Sequence, residues 1–187
     1  TDQINIPTGT FVAVTASYNH SLAIRTDGTL AGGGRNNEGQ TNVPSGTFVA
    51  IAAGYYHSLA IRSDGTLVAW GQNAYGETNV PAGTFTAVAA GIYHGLAIRS
   101  DGTLVGWGNN GNGQINVPTG TFTAIAAGMS HSMGIRSDGT LVGWGANSVA
   151  TCRGDATEKY QPRLQFTPIG LHSHSSKGRR GSCMDGL

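Results

Sequence analysis

Short apolar runs alternate with glycine-rich polar turns through residues 3–147. Phe48-Val-Ala-Ile-Ala-Ala-Gly54 and Leu67-Val-Ala-Trp-Gly71 are near-continuous apolar runs, whereas His57-Ser-Leu-Ala-Ile-Arg62 sets His57, Leu59 and Ile61 on one side against Ser58, Ala60 and Arg62 on the other. Runs of this length and period predict three β-strands. The pattern returns at an offset of 37 residues, through Gln3, Gln40, Glu77 and Gln114, and again through His20, His57, His94 and His131. This predicts four repeats (3–39, 40–76, 77–113 and 114–150) within residues 1–150, with strands near 11–16, 20–25 and 29–33 of the first copy and their equivalents.

The second and third strands are joined through Asp64-Gly65, with Asp27-Gly28, Asp101-Gly102 and Asp138-Gly139 in register. That pair suits a two-residue hairpin loop whose central residues take positive φ. Asn42-Val43-Pro44 lacks a proline donor and reads as an edge or crossover between units. A unit of three or four short antiparallel strands, apolar on both faces, must be covered by its neighbours. The expected fold is therefore an all-β β-propeller of 37-residue blades. Alanine and glycine in Ala50-Ile-Ala-Ala-Gly54 place the first strand innermost, and Trp70, Trp107 and Trp144 are expected at equivalent, mostly buried positions. Gly33 stands at that position in the first copy, which leaves its blade less well packed.

Composition agrees: 30 of 187 residues are glycine, and charged residues make up 11%. Glycine costs roughly 1 kcal/mol per helical position relative to alanine, which disfavours helix. The formal net charge of +1 removes the electrostatic footprint of a nucleic-acid partner. No run of eighteen apolar residues predicts membrane insertion, and no amino-terminal segment reads as a signal peptide, which leaves a mature secreted chain open.

The run Ala52-Ala-Gly-Tyr-Tyr-His-Ser-Leu-Ala-Ile-Arg-Ser-Asp-Gly-Thr-Leu-Val-Ala-Trp-Gly71, with close copies at 89–108 and 126–145, resembles the repeats of the regulator of chromosome condensation propellers. The short spacing and the Thr-Asn-Val-Pro linker are most similar to the bacterial members, which include the propeller-type β-lactamase inhibitor proteins. The resemblance implies a propeller, usually seven-bladed, acting by protein–protein contact through the loops of one face, and favours a secreted or cell-surface setting. It does not carry a partner with it. Two departures stand out: only four clear repeats, and a degraded first copy in which Ser17 replaces Gly54.

Residues 151–187 break the pattern and hold both cysteines, all the lysine and a basic cluster, Lys177-Gly-Arg-Arg180. This basic tail has the length of one repeat and reads as a frame-shifted fifth copy. Cys152 and Cys183 are either a disulfide or free thiols, and His172 and His174 with Cys183 are at most an adventitious metal chelate.

The repeats offer little chemistry. One histidine per blade on the parity of Leu59 and Ile61 reads as a hydrogen-bonded core residue tying the preceding turn, not as a metal ligand. Asp27, Asp64, Asp101 and Asp138 belong to turns, leaving Glu38 and Glu77 as isolated surface groups, so no acid–base pair can be assembled. The expectation is a non-enzymatic protein without cofactor or metal. What varies between copies falls at one end of the blades: Tyr18-Asn19, Tyr55-Tyr56, Ile92-Tyr93 and Met129-Ser130 after the first strand, and loops carrying Asn36, Asn73 with Tyr75, and Asn110 after the third. Tyrosine among asparagine and glycine on rigidly held loops suits an adaptable protein-binding surface. The competing readings are neutral drift of the loops, a sugar-binding propeller and a structural or engineered scaffold; a lectin would keep its ligand residues in every copy. Four blades also leave two apolar faces open, so a homo-oligomer is expected, two arcs about a twofold axis closing an eight-bladed ring with the open faces paired isologously.

Overall fold

The structure, a computed structural model, describes residues 8–147. The chain divides into Thr1–Val149 and Ala150–Leu187. The second unit, with its cysteines, its histidines and the expected frame-shifted repeat, lies outside the described residues.

The described residues form four three-stranded antiparallel sheets, each built from consecutive strands. They are β1 (Phe11–Ala16), β2 (His20–Arg25) and β3 (Leu30–Gly34); β4 (Phe48–Ala53), β5 (His57–Arg62) and β6 (Leu67–Gly71); β7 (Phe85–Ala90), β8 (His94–Arg99) and β9 (Leu104–Gly108); and β10 (Phe122–Ala127), β11 (His131–Arg136) and β12 (Leu141–Gly145). Each sheet is a propeller blade. First strands pack on first strands, β1 on β4, β4 on β7 and β7 on β10, so the alanine-rich strand is innermost, as its small side chains predict.

The third strand starts at Leu30, one residue late, because Thr29 is engaged in the turn: its N–H and hydroxyl donate to Asp27 Oδ1 at 2.9 and 2.7 Å. The turn closes through Gly28 N–H to the Arg25 carbonyl, 2.9 Å, with Gly28 at φ 84°. The loop thus has three residues with glycine in the left-handed position, in place of the two-residue loop that the Asp-Gly pair predicts. On the same end of each blade an arginine braces the start of the first strand. In the second blade Arg62 lies 5.1 Å from the Phe48 ring centroid and donates to the Ser45 carbonyl at 3.0 Å.

The blades are joined by shared core and by a recurrent polar peg. Ile24 and Leu30 of the first blade cluster with Phe48, Ile51 and Ala60 of the second, and Ile98 and Leu104 of the third with Phe122 and Ile125 of the fourth. Between them runs the crossover, whose first carbonyl is held twice. The Gln40 oxygen accepts from Ser58 Oγ at 2.8 Å and from Trp70 Nε1 at 2.8 Å, and the Gln114 oxygen from Ser132 Oγ and Trp144 Nε1, both at 2.9 Å. Because the serine proton is already committed, His20 Nε2 donates to Ser58 Oγ and His94 Nε2 to Ser132 Oγ, each at 3.0 Å and across a blade boundary. The histidine therefore ties its blade to the following one. It also covers its own turn: a Cβ at Gly54 would overlap the His57 ring.

The boundary between the second and third blades departs from this scheme. Gly95 replaces the serine, and His57 Nε2 is buried without a partner among the described residues. A Cβ at Gly95 would overlap the Trp107 ring, so the missing side chain lets this indole sink into the core. Trp107 is buried, whereas Trp70 and Trp144 are half-buried; the expectation of equal burial fails, although all three make the same indole bond. Trp107→Ala should therefore cost about 3–5 kcal/mol in denaturant unfolding, and Trp70→Ala less. Equal losses would contradict the packing.

Burial pushes His20, His57 and His94 down from 6.5 to about 4, with His20 and His94 adding to the effect at His57. A base that is neutral when folded but protonates near 6.5 when unfolded contributes fully above pH 6.5 and loses that contribution as pH falls toward 4. For His57 alone this amounts to about 3 kcal/mol. The turn aspartates act in a separate, lower window. Asp27, Asp101 and Asp138 are held below 3.8 by the hydroxyl and N–H of the threonine two residues on, and Asp64 by the same groups of Thr66 with the N–H foremost. Urea titrations should show stability declining between pH 6.5 and 4 and a smaller decline for His57→Gln; a flat profile would refute the buried-neutral assignment.

Candidate interaction face

At the opposite end from the Asp-Gly turns, each blade carries two loops fastened together. The first closes as a tight turn, with Ser17, Gly54, Gly91 and Gly128 N–H donating to the carbonyls of His20, His57, His94 and His131 at 2.8–3.0 Å. That turn presents two residues outward, which are the variable pairs. The second residue of each pair then accepts, through its carbonyl, the N–H of the residue that follows the third strand: Arg35 to Asn19, Gln72 to Tyr56, Asn109 to Tyr93 and Ala146 to Ser130, at 2.8–2.9 Å. The close approach requires Gly71, at φ 98°, where a Cβ would lie 2.6 Å from the Tyr56 oxygen. Both variable loops therefore share one face.

The asparagines of the second loop are engaged within it. Asn36 Oδ1 accepts from Thr41 N–H and Asn36 Nδ2 donates to Asn42 Oδ1, at 2.9 and 2.7 Å. Asn73 repeats the arrangement with Thr78 and Asn79, and Asn110 with Ile115 and Asn116. Glu77 is not the surface group its charge suggests. It is fully buried, and its Oε2 accepts from Tyr75 N–H at 2.7 Å, the bond that Gln40 and Gln114 make to Glu38 and Asn112 N–H in their loops. A carboxylate oxygen replaces an amide oxygen in the same bond, and it fixes the backbone that carries Tyr75.

The tyrosines are brought together. Tyr18 stacks on Tyr55 at 5.1 Å and 23°; Tyr55 meets Tyr56 edge-on at 4.2 Å and Tyr93 at 6.4 Å; Tyr93 meets Tyr75 at 5.0 Å. A hydrogen bond with Tyr56 raises the Tyr55 phenol above its usual 10. Five rings from three blades form one continuous surface, with Tyr18 69% exposed and Tyr75 53% exposed. Arg35 extends it, its guanidinium 4.6 Å from the Tyr56 centroid, a contribution the sequence pattern does not single out. Ile92 lines, with Tyr55, a shallow depression of about 160 Å³ at the inner rim, and Met129 is exposed on the fourth blade. This depression is smaller than the ~300–1,000 Å³ typical of small-molecule sites.

The model of the regulator of chromosome condensation (RCC1) repeat matches residues 11–40, 48–77, 85–114 and 122–149. Among solved structures the described fold resembles yeast RCC1 (Prp20) bound to Kap60, with a TM-score of 0.66 and 20% identity over 75% of this chain and 45% of that one. It resembles Prp20p from Saccharomyces cerevisiae, studied for its binding to Gsp1p and histones, at 0.67 and 19% over 76% and 47%. The CRINKLY WD40 ectodomain of the Arabidopsis thaliana receptor kinase ACR4 aligns at 0.63 and 26% over 75% and 52%. The chain spans under half the length of the two yeast structures. No curated protein sequence matches the chain. With four successive repeats matched over well over half of its length, the chain belongs to the regulator of chromosome condensation repeat family.

Proposed function

We propose that this chain is a non-enzymatic protein-binding propeller segment whose recognition surface is the tyrosine cluster on the variable-loop face. The observation that carries the reading is the joining of Tyr18, Tyr55, Tyr56, Tyr75 and Tyr93 into one surface across three blades. Tyrosine offers large, amphipathic contact area with few rotamers to freeze, and clustered aromatics with arginine typify the centres of protein interfaces. Their loops are pre-ordered by the hydrogen bonds described above, which lowers the entropic cost of binding. Yeast Prp20 bound to Kap60, and Prp20p with its binding to Gsp1p and histones, support a protein as the class of partner. A repeated sugar site fits less well, because the outward pair differs in every blade. Asn19, Ile92 and Met129 form the margin of the surface. Asn36, Asn73 and Asn110 contribute by holding the loops.

Affinity capture with the 187-residue chain should recover a specific protein, and a Tyr18, Tyr55, Tyr75 and Tyr93 to alanine variant should lose it. At about 2 kcal/mol or more for a central tyrosine, even one substitution should weaken binding roughly thirtyfold. Val49→Ser, an exposed site away from these loops, is the control. Equal capture by all three proteins, or saturable binding to a glycan in place of a protein, would overturn the proposal.

A further inference from the structure

The two terminal blades are half-covered in complementary ways. In β5 and β8 both faces are buried, at five of six positions. In β2 burial is complete only at His20, Leu22 and Ile24, the side facing the second blade; in β11 only Ser132 and Gly134 are buried, the side facing the third. The same residue types quantify what a following blade covers. Ile24, Ile61 and Ile98 are 2, 0 and 3% exposed, but Ile135 is 40%; Leu30 and Leu104 are 7 and 9%, but Leu141 is 64%. On the first blade Val14, the counterpart of Ile51 and Ile125 in the shared cores, is 79% exposed.

We infer that these two faces bind each other, the last blade of one copy of the chain docking on the first blade of a second copy, so that two copies close a ring of eight blades. The internal boundaries define the register. Phe48, Phe85 and Phe122 N–H each donate to the carbonyl of Gly28, Gly65 and Gly102 of the preceding blade at 2.9 Å. The counterpart is Phe11 N–H of a second copy to Gly139. Thr47, Thr84 and Thr121 pack within 3.1–3.2 Å of a Cβ position at those glycines, whereas Gly139 has nothing within 4 Å among the described residues; Thr10 of the second copy fits there. The polar peg completes the match. His131 is exposed, and Ser21 of the second copy supplies the hydroxyl that Ser58 and Ser132 supply internally. The contact is head to tail, a histidine face on a serine face, and each of the two junctions about the twofold axis is heterologous, which replaces the isologous pairing expected from the open faces alone.

Sedimentation equilibrium of the 187-residue chain at micromolar concentration should give twice 19.2 kDa. Val14→Glu and Leu141→Glu, both at exposed sites of the single chain, should each give the one-chain mass with an unchanged far-ultraviolet circular dichroism spectrum. Mixed in equal amounts they should regain the two-chain mass, because the intact last face of the first variant meets the intact first face of the second. This recovery also shows that neither variant is misfolded. A one-chain mass for the unaltered protein, including one caused by residues 150–187 occupying a face, would overturn the proposal. So would a two-chain mass that neither substitution changes, or a ladder of higher masses in place of a closed pair.

Discussion

A three-stranded sheet that is apolar on both faces has no stable existence by itself, and every other feature of this molecule follows from how one blade covers the next. The interiors supply the bulk of that cohesion: isoleucine and leucine of one blade meet phenylalanine and a β-branched or aliphatic residue of the following one. Apolar contact is non-directional and would tolerate sliding. The histidine–serine–carbonyl peg removes that freedom, because a buried imidazole must satisfy its donor at one place only. At the second boundary the peg is absent and a sunken tryptophan takes up the space, so shape stands in for polarity there.

The same imidazole connects the core to the variable loops. Its ring lies over the small residue that begins the outward turn, and the turn's carbonyl receives the end of the third strand. Core and loops are thus one hydrogen-bonded assembly, and the two outward residues of each turn can vary without disturbing it. Variation is concentrated at those positions, and in three neighbouring blades it places tyrosines whose rings touch. The buried Glu77 shows the same economy: one carboxylate oxygen, under the loop, orders the backbone of Tyr75.

Strand positions were legible because period-two alternation, the Asp-Gly turns and the 37-residue offset all report the same unit. That the variable positions share one end of the blades was legible because the chain compares itself four times. Ser58 was not: its meaning depends on His20, 38 residues away, and strand parity alone leaves it looking like an outward residue on a half-exposed strand. Glu77 misleads because a lone carboxylate usually faces water, and only the folded loop reveals the N–H it accepts. Trp107 looks identical to Trp70 and Trp144 in the sequence. Its deeper seat comes from Gly95, a neighbour across the strand pair and not along the chain.

The claim that a polar peg fixes blade to blade is tested most directly by a double-mutant cycle on His20 and Ser58, read by urea unfolding at pH values above the histidine transition. If the ring donates to the serine as the geometry indicates, His20→Ala and Ser58→Ala together should cost less than the sum of the two, with a coupling of about 1 kcal/mol. Strict additivity, with no coupling beyond a few tenths of a kcal/mol, would mean that apolar packing alone sets the blade register and would contradict the account.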